Sequence, residues 1–265
     1  MPTVKRIKLD SKRGVKVVKQ IVALLVFVVA AAIASLAVRT VLNGNSNSSV
    51  SKSISGAEFD TMISRSPQSE MYKLIEVNFP EEYQVMRESM LSKTNDPNSS
   101  EAEVFMNGMS LTQQFVTRNQ HFSFFAPDSV LLALSDARAS FFQDVQRADV
   151  AACGAMANSK AYHSEALERL GDNTLPISVL NINAMAAGKN SPVPRNRASE
   201  SEWEFFWDRV SQRLSEQTLE EITTLQPEQY SDETSCELMV QVNVYISELP
   251  DAESAFWAAN VDGMQ

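Results

Sequence analysis

The sequence predicts a mainly α-helical protein: one N-terminal transmembrane helix followed by an irregular multi-helix exported domain. Three observations predict it. An uncharged hydrophobic run, IVALLVFVVAAAIASLAV at 21–38, follows a basic leader. Beyond it, apolar residues recur at helical spacing in one segment after another. Serine caps and proline–acid pairs stand where those segments begin.

The leader, residues 1–20, holds Lys5, Arg6, Lys8, Lys12, Arg13, Lys16 and Lys19 against the single acid Asp10. Such a flank stays cytoplasmic and sends the rest of the chain across the membrane. The apolar run from Ile21 to Val38 reaches about 27 Å as a helix at about 1.5 Å per residue, close to the ~30 Å of a bilayer core. A cleaved leader is the competing reading, because Ser35-Leu36-Ala37 has the small-x-small form of a site cut after Ala37. The long basic region and long apolar run favour retention as a signal anchor. Ala30/Ala34 and Ala31/Ser35 have the small-x-x-x-small spacing that offers a homodimer contact between two such helices.

Residues 43–55, NGNSNSSVSKSIS, form a polar linker with six serines and three asparagines. The acidic domain then occupies 56–265. Of the 33 acids and 23 bases in the chain, all acids but Asp10 and all bases but eight lie beyond position 42, which leaves this region near −17. A field of that sign repels nucleic acid. The bacterial inner membrane is the expected location, with the domain in the periplasm. Two sequons, at Asn47 and Asn98, leave a eukaryotic secretory context open.

Within the domain, Met71, Leu74, Ile75 and Phe79 mark a helix, and Pro80-Glu81-Glu82 opens another running to about Leu91. SKTNDPNSS at 92–100 reads as a loop. Val104, Phe105, Leu111, Phe115 and Val116 mark the next helix, and Pro127-Asp128-Ser129 opens a further one. Asp149 is placed to cap a segment containing Cys153, and Gly171 to end the one after it. GKNSPVPRNRAS at 188–199 is read as a break, closed by Ser199 and Glu202 in a capping-box pattern. Trp203, Phe206, Trp207, Val210 and Leu214 then lie on one helical face. The last long segment is ambiguous. Leu238, Val240, Val242, Val244 and Ile246 alternate as in a strand, whereas Leu238, Val242, Tyr245 and Leu249 describe a helix. A helix is expected from its length and neighbours, for a total of seven or eight.

Cys153 and Cys236 are the only cysteines, and both lie on the exported side, where an even pair suggests a disulfide. His121 and His163 stand alone, and His163 reads as a surface or boundary residue rather than an acid/base. HExxH, GxSxG, GxxxxGK, GxGxxG, Asp-x-Asp and DxDxDG patterns are missing from the sequence, so no catalytic residue, cofactor site or metal site is expected. Glu81-Glu82 and Glu220-Glu221 are pairs that composition alone supplies.

Phe205 falls off the aromatic stripe towards Asp208, Arg209 and Gln212. A covering neighbour helix is the favoured explanation; a partner contact is the other. Phe122, Phe124 and Phe125 admit the same two readings. The expected function is that of a membrane-tethered envelope interaction or assembly protein with an unidentified protein partner. The alternatives are a periplasmic hydrolase using paired carboxylates on envelope polymers, and a small-ligand carrier with an apolar interhelical pocket.

Overall fold

The computed structural model of the protein describes residues 53–66, 68–157 and 174–262. These residues are mainly helical and contain no strand. The expected membrane span at 21–38, His163 and Gly171 lie outside them. No helix among the described residues is long and apolar enough to cross a membrane.

Eleven α-helices are present among the described residues, more than the seven or eight expected. They are α1 (Gly56–Arg65), α2 (Ser69–Asn78), α3 (Pro80–Asn95), α4 (Glu101–Asn119), α5 (Asp128–Ala148) and α6 (Val150–Ala157), followed by α7 (Thr174–Asn190), α8 (Glu200–Ser211), α9 (Glu216–Thr224), α10 (Asp232–Ser247) and α11 (Asp251–Asp262). A 3-10 segment, Gln120–Phe125, joins α4 to α5. The excess includes α9, whose nine residues hold only Leu219 and Ile222 as large apolar positions, and α11, which is buried on several sides and so carries little periodic signal.

Local chemistry sets many of the boundaries. Ser55, Ser100 and Ser199 each open a helix by a reciprocal capping box with Glu58, Glu103 and Glu202. At α8, the Ser199 N–H donates to the Glu202 carboxylate at 2.7 Å, and the Glu202 N–H donates to the Ser199 hydroxyl at 3.3 Å. Pro80 occupies the first turn of α3, where its missing N–H costs nothing. The Ala152 N–H donates to Asp149 Oδ1 at 3.0 Å, the cap expected for α6.

Three boundaries differ from expectation. Helix α8 ends at Ser211, so Leu214, expected on its face, lies beyond it. Helix α3 continues through Ser92–Thr94 to Asn95, whose side chain exchanges two hydrogen bonds with the Ile54 backbone, at 2.8 and 2.9 Å. That exchange also docks the end of the polar linker. Helix α7 continues through Gly188 to Asn190, so the break begins at Ser191. A Cβ on Gly188 would stand 1.9 Å from the Phe122 carbonyl oxygen. Glycine is there to let helix and 3-10 backbone touch, rather than to end the helix.

The buried apolar residues among those described form two hydrophobic clusters. The larger gathers apolar residues of α5, α6, α8, α9, α10 and α11. The smaller gathers α1 to α4 around Phe79, Met71, Ile75 and Phe115. Helix α7 serves both: Ile177 and Ala184 belong to the larger, and Ile182, Met185 and Ala186 to the smaller. A helix buried on opposite sides loses its amphipathic period. Helix α10 shows the same effect. It packs on α5, α6, α8, α9 and α11, and it buries Leu238, Met239, Val240, Val242 and Ile246. Apolar residues on nearly every side produced the strand-like alternation.

Cys153 on α6 and Cys236 on α10 are both fully buried and joined by a disulfide. Beside them, a Cβ on Gly154 would meet the Asp232 carbonyl oxygen at 2.2 Å, so the two helices cross at backbone contact. The bridge closes a loop across the break at 191–199. That segment is itself tied down: the Val193 N–H donates to the Phe125 carbonyl at 2.8 Å, and Arg195 bonds the Ala126 carbonyl and Asp128.

Candidate functional site

Helix α8 decides the position of Phe205. Trp203, Phe206, Trp207 and Val210 are buried, which fixes the rotation of the helix. Phe206 and Trp257 lie with ring centroids 4.3 Å apart, and Trp203 and Trp257 at 4.8 Å. Phe205 is thereby turned outwards and is 57% exposed. No helix among the described residues covers it, contrary to the favoured expectation: α10 and α11 bury the Trp-bearing face of α8 and reach the Phe205 side only at the groove edge, through Tyr245 and Glu253.

Phe205 lines a groove of about 380 Å³ with Arg209, Gln212, Arg213, Tyr245 and Glu253. The Arg209 guanidinium sits 5.0 Å from the centre of the Phe205 ring, and that of Arg213 sits 4.9 Å from the centre of Tyr245. Stacking of this kind flattens an arginine against its ring while leaving its N–H edge free to bond. Arg213 also pairs with Glu248 at 2.6 Å. No carboxylate among the described residues closes an ion pair on Arg209. Burial pushes the Tyr245 phenol up; Arg209 and Arg213 oppose that shift, and Glu253 adds to it. The groove sets two arginines and two aromatic rings beside one acid, Glu253, and one of the arginines, Arg213, is already paired with Glu248.

Sequence spacing had already placed Arg209 and Gln212 near Phe205. Arg213, Tyr245 and Glu253 were not foreseen. Tyr245 was legible only as a member of the helical face of α10, and its place in the groove depends on how α10 meets α8. Among the Phe122–Phe125 aromatics, Phe124 is buried, while Phe122 and Phe125 pack against the two clusters from their margins. His121 is exposed, its ring 4.0 Å from that of Phe122.

A second, wider cleft of about 950 Å³ lies between α1, α2 and α3, lined by Asp60, Glu70, Lys73, Glu76, Tyr83 and Arg87 among others. Arg87 and Asp60 form a two-pronged pair across it at 2.5 and 2.7 Å. The Arg87 bond holds the Asp60 carboxyl below the usual range. Asp96, Glu103, Glu202 and Glu221 are also lowered. At Glu221, burial pushes upwards but hydrogen bonds led by the Ser231 backbone N–H outweigh it. These shifts run opposite to the raised carboxyl that a general acid requires. Of the two glutamate pairs, Glu221 is occupied in holding Ser231 at the start of α10, at 2.9 and 3.1 Å. No cluster of three metal-ligating side chains is arranged around a common point among the described residues.

The site and fold together define a mainly α protein with an aromatic–arginine groove on its surface. Compared with protein-family models, curated proteins and solved structures, the chain gives no significant match.

Proposed function

We propose that the protein is a membrane-tethered envelope interaction protein that holds a protein partner in the groove around Phe205. The observation that carries this reading is a solvent-facing phenylalanine flanked by two stacked arginines and a tyrosine. Aromatic and arginine side chains are the residues that most often anchor protein interfaces. In this reading, residues 21–38 are the anchor, the basic leader is cytoplasmic, and 56–265 act as one domain on the far side. The buried Cys153–Cys236 bridge supports that side, since such bonds persist in oxidising compartments. Tethering confines the domain near the bilayer and raises its effective concentration for membrane-bound partners.

Affinity isolation of the full chain from native membranes tests the reading, with Phe205→Ala and Arg209→Glu compared against Asp144→Ala on the exposed side of α5. Partners recovered with the parent chain and with Asp144→Ala, but lost with the groove variants, are the expected result. Equal recovery from all four contradicts it.

A further inference from the structure

Acids are spread unevenly over the domain. Residues 104–127 and 174–199 hold none, although Glu103, Asp128 and Glu200 stand directly at their ends. The fold brings these two runs together around the 3-10 segment Gln120–Phe125. Gly188 presses its backbone against the Phe122 carbonyl. The Val193 N–H donates to the Phe125 carbonyl at 2.8 Å, and Arg195 donates to the Ala126 carbonyl at 2.6 Å.

The charged side chains of the two runs are all basic: Arg118, Lys189, Arg195 and Arg197. Arg118, Lys189 and Arg197 are exposed, as is His121. Lys189 sits 4.4 Å from the centre of the Phe79 ring and Arg197 5.2 Å from that of Phe124, which holds both beside the 3-10 segment. No carboxylate among the described residues closes an ion pair on Arg118 or Lys189. Two acids at the margin are neutralised. Asp128 is paired with Arg195, and Asp262, at the end of the α11 helix that packs on this segment, is paired with Arg138. Acids resume at Glu81 and Glu82 past Phe79, and at Glu200 past Arg197, so the face is bounded.

We infer that this acid-free face docks on the anionic phospholipid headgroups of the membrane that holds the chain. Docking here rests on the tethered reading of residues 21–38, and it gives the domain an orientation above the bilayer. Charge complementarity argues for this occupant. A domain near −17 is repelled by an anionic surface through its acidic faces, and this face carries no acid. At physiological ionic strength charges are screened beyond about 8 Å, so the groups that meet the lipid decide. Each lysine or arginine brought to such a surface is worth roughly a fivefold preference. The tether is long enough. Asn95 holds Ile54 at the end of α3, and residues 39–53 separate Ile54 from the span. At about 3.3 Å per residue those residues reach at most about 50 Å. Helix α4 places the 3-10 segment about 28 Å beyond its own start, within that reach.

Quenching by headgroup-labelled lipid, with the full chain reconstituted in vesicles, tests this. A fluorophore is attached at Asn196→Cys, exposed within the face, or at Asp144→Cys, about 24 Å along α5 from Asp128. The native cysteines are bonded to each other and fully buried, so they do not take the label. The vesicles are phosphatidylcholine alone or phosphatidylcholine with phosphatidylglycerol. Quenching at 196 should be several-fold stronger in the anionic vesicles, while quenching at 144 stays weak in both. About 1 M salt, where the screening length falls to about 3 Å, should abolish the difference without any further substitution. Arg118→Glu combined with Arg197→Glu should abolish it at ordinary salt. Quenching at 196 that is equal in the two vesicle types, or no greater than at 144, overturns the docking. A chain that floats with the vesicles yet gives that result loses the docking alone. A chain that does not float with them loses the tether, and the docking falls with it.

Discussion

Arg138 and Asp262 show what a single buried pair does for this fold. Their side chains are 8% and 9% exposed and meet at 2.6 Å, tying α5 to the end of α11. The same guanidinium donates to Asn181 Oδ1, and Asn181 in turn donates to the Ile177 carbonyl at 2.8 Å, so α7 is drawn into the network. Removing one member strands a charge in the core, which costs about 3–5 kcal/mol. Asp262→Ala is therefore expected to lower stability by that order, as measured by denaturant unfolding. The double change Arg138→Met with Asp262→Leu should recover much of the loss, since no charge is then left unpaired. None of this was visible in the sequence: Arg138 and Asp262 are 124 positions apart, and each looks like an ordinary surface residue of its helix.

At the scale of elements, legibility followed periodicity. The starts of helices with one buried face, such as α8 behind Ser199 and α5 behind Pro127, were read to within a residue, whereas α8 ends at Ser211, short of the Leu214 expected on its face. Helices α7 and α10 are buried on several sides, so their patterns carried less direction, and α10 mimicked a strand. Gly188 misled for a different reason. In sequence, a glycine near a proline-rich stretch reads as a terminator, but here it is an interior residue pressed against the Phe122 carbonyl. Gly188→Ala should consequently push α7 away from the 3-10 segment. A destabilisation of about 1–3 kcal/mol is expected, the usual cost of overpacking. A small gain in stability, as an ordinary helical Gly→Ala gives, would show that the close approach does not exist. The disulfide belongs to this scale too. Its existence was readable from cysteine count and expected compartment, but its place at the crossing of α6 and α10 was not. With 83 positions between its ends, it should contribute about 4.5 kcal/mol in the chain-entropy model.

For the whole molecule, charge is the dominant property, and it sets the response to acid. Asp60, Asp96, Glu103, Glu202 and Glu221 all have lowered folded values, through Arg87 at Asp60 and through hydrogen bonds to capping and turn groups at the others. A carboxyl depressed on folding contributes stability that is complete above its unfolded value, about 4. That contribution is lost as pH falls through the folded value. Thermal unfolding should thus be nearly flat from neutral pH down to about 5 and then decline steeply below about 4. A decline already complete at pH 6 would point to groups other than these. The same acidity makes the groove stand out, because it concentrates Arg209 and Arg213 beside Phe205 and Tyr245. Phe205 and Arg209 were both named from helical geometry alone. Assembly of the full groove required the tertiary meeting of α8 and α10, which no local pattern encodes.

The reading of that groove as a contact surface is tested most directly by site-specific photocrosslinking. A benzoylphenylalanine in place of Phe205, in the full chain within native membranes, should give a discrete light-dependent adduct. The same group in place of Asp144, equally open to solvent, should give none. Adducts of equal strength at both positions, or none at 205 while the chain is folded and membrane-bound, would contradict it.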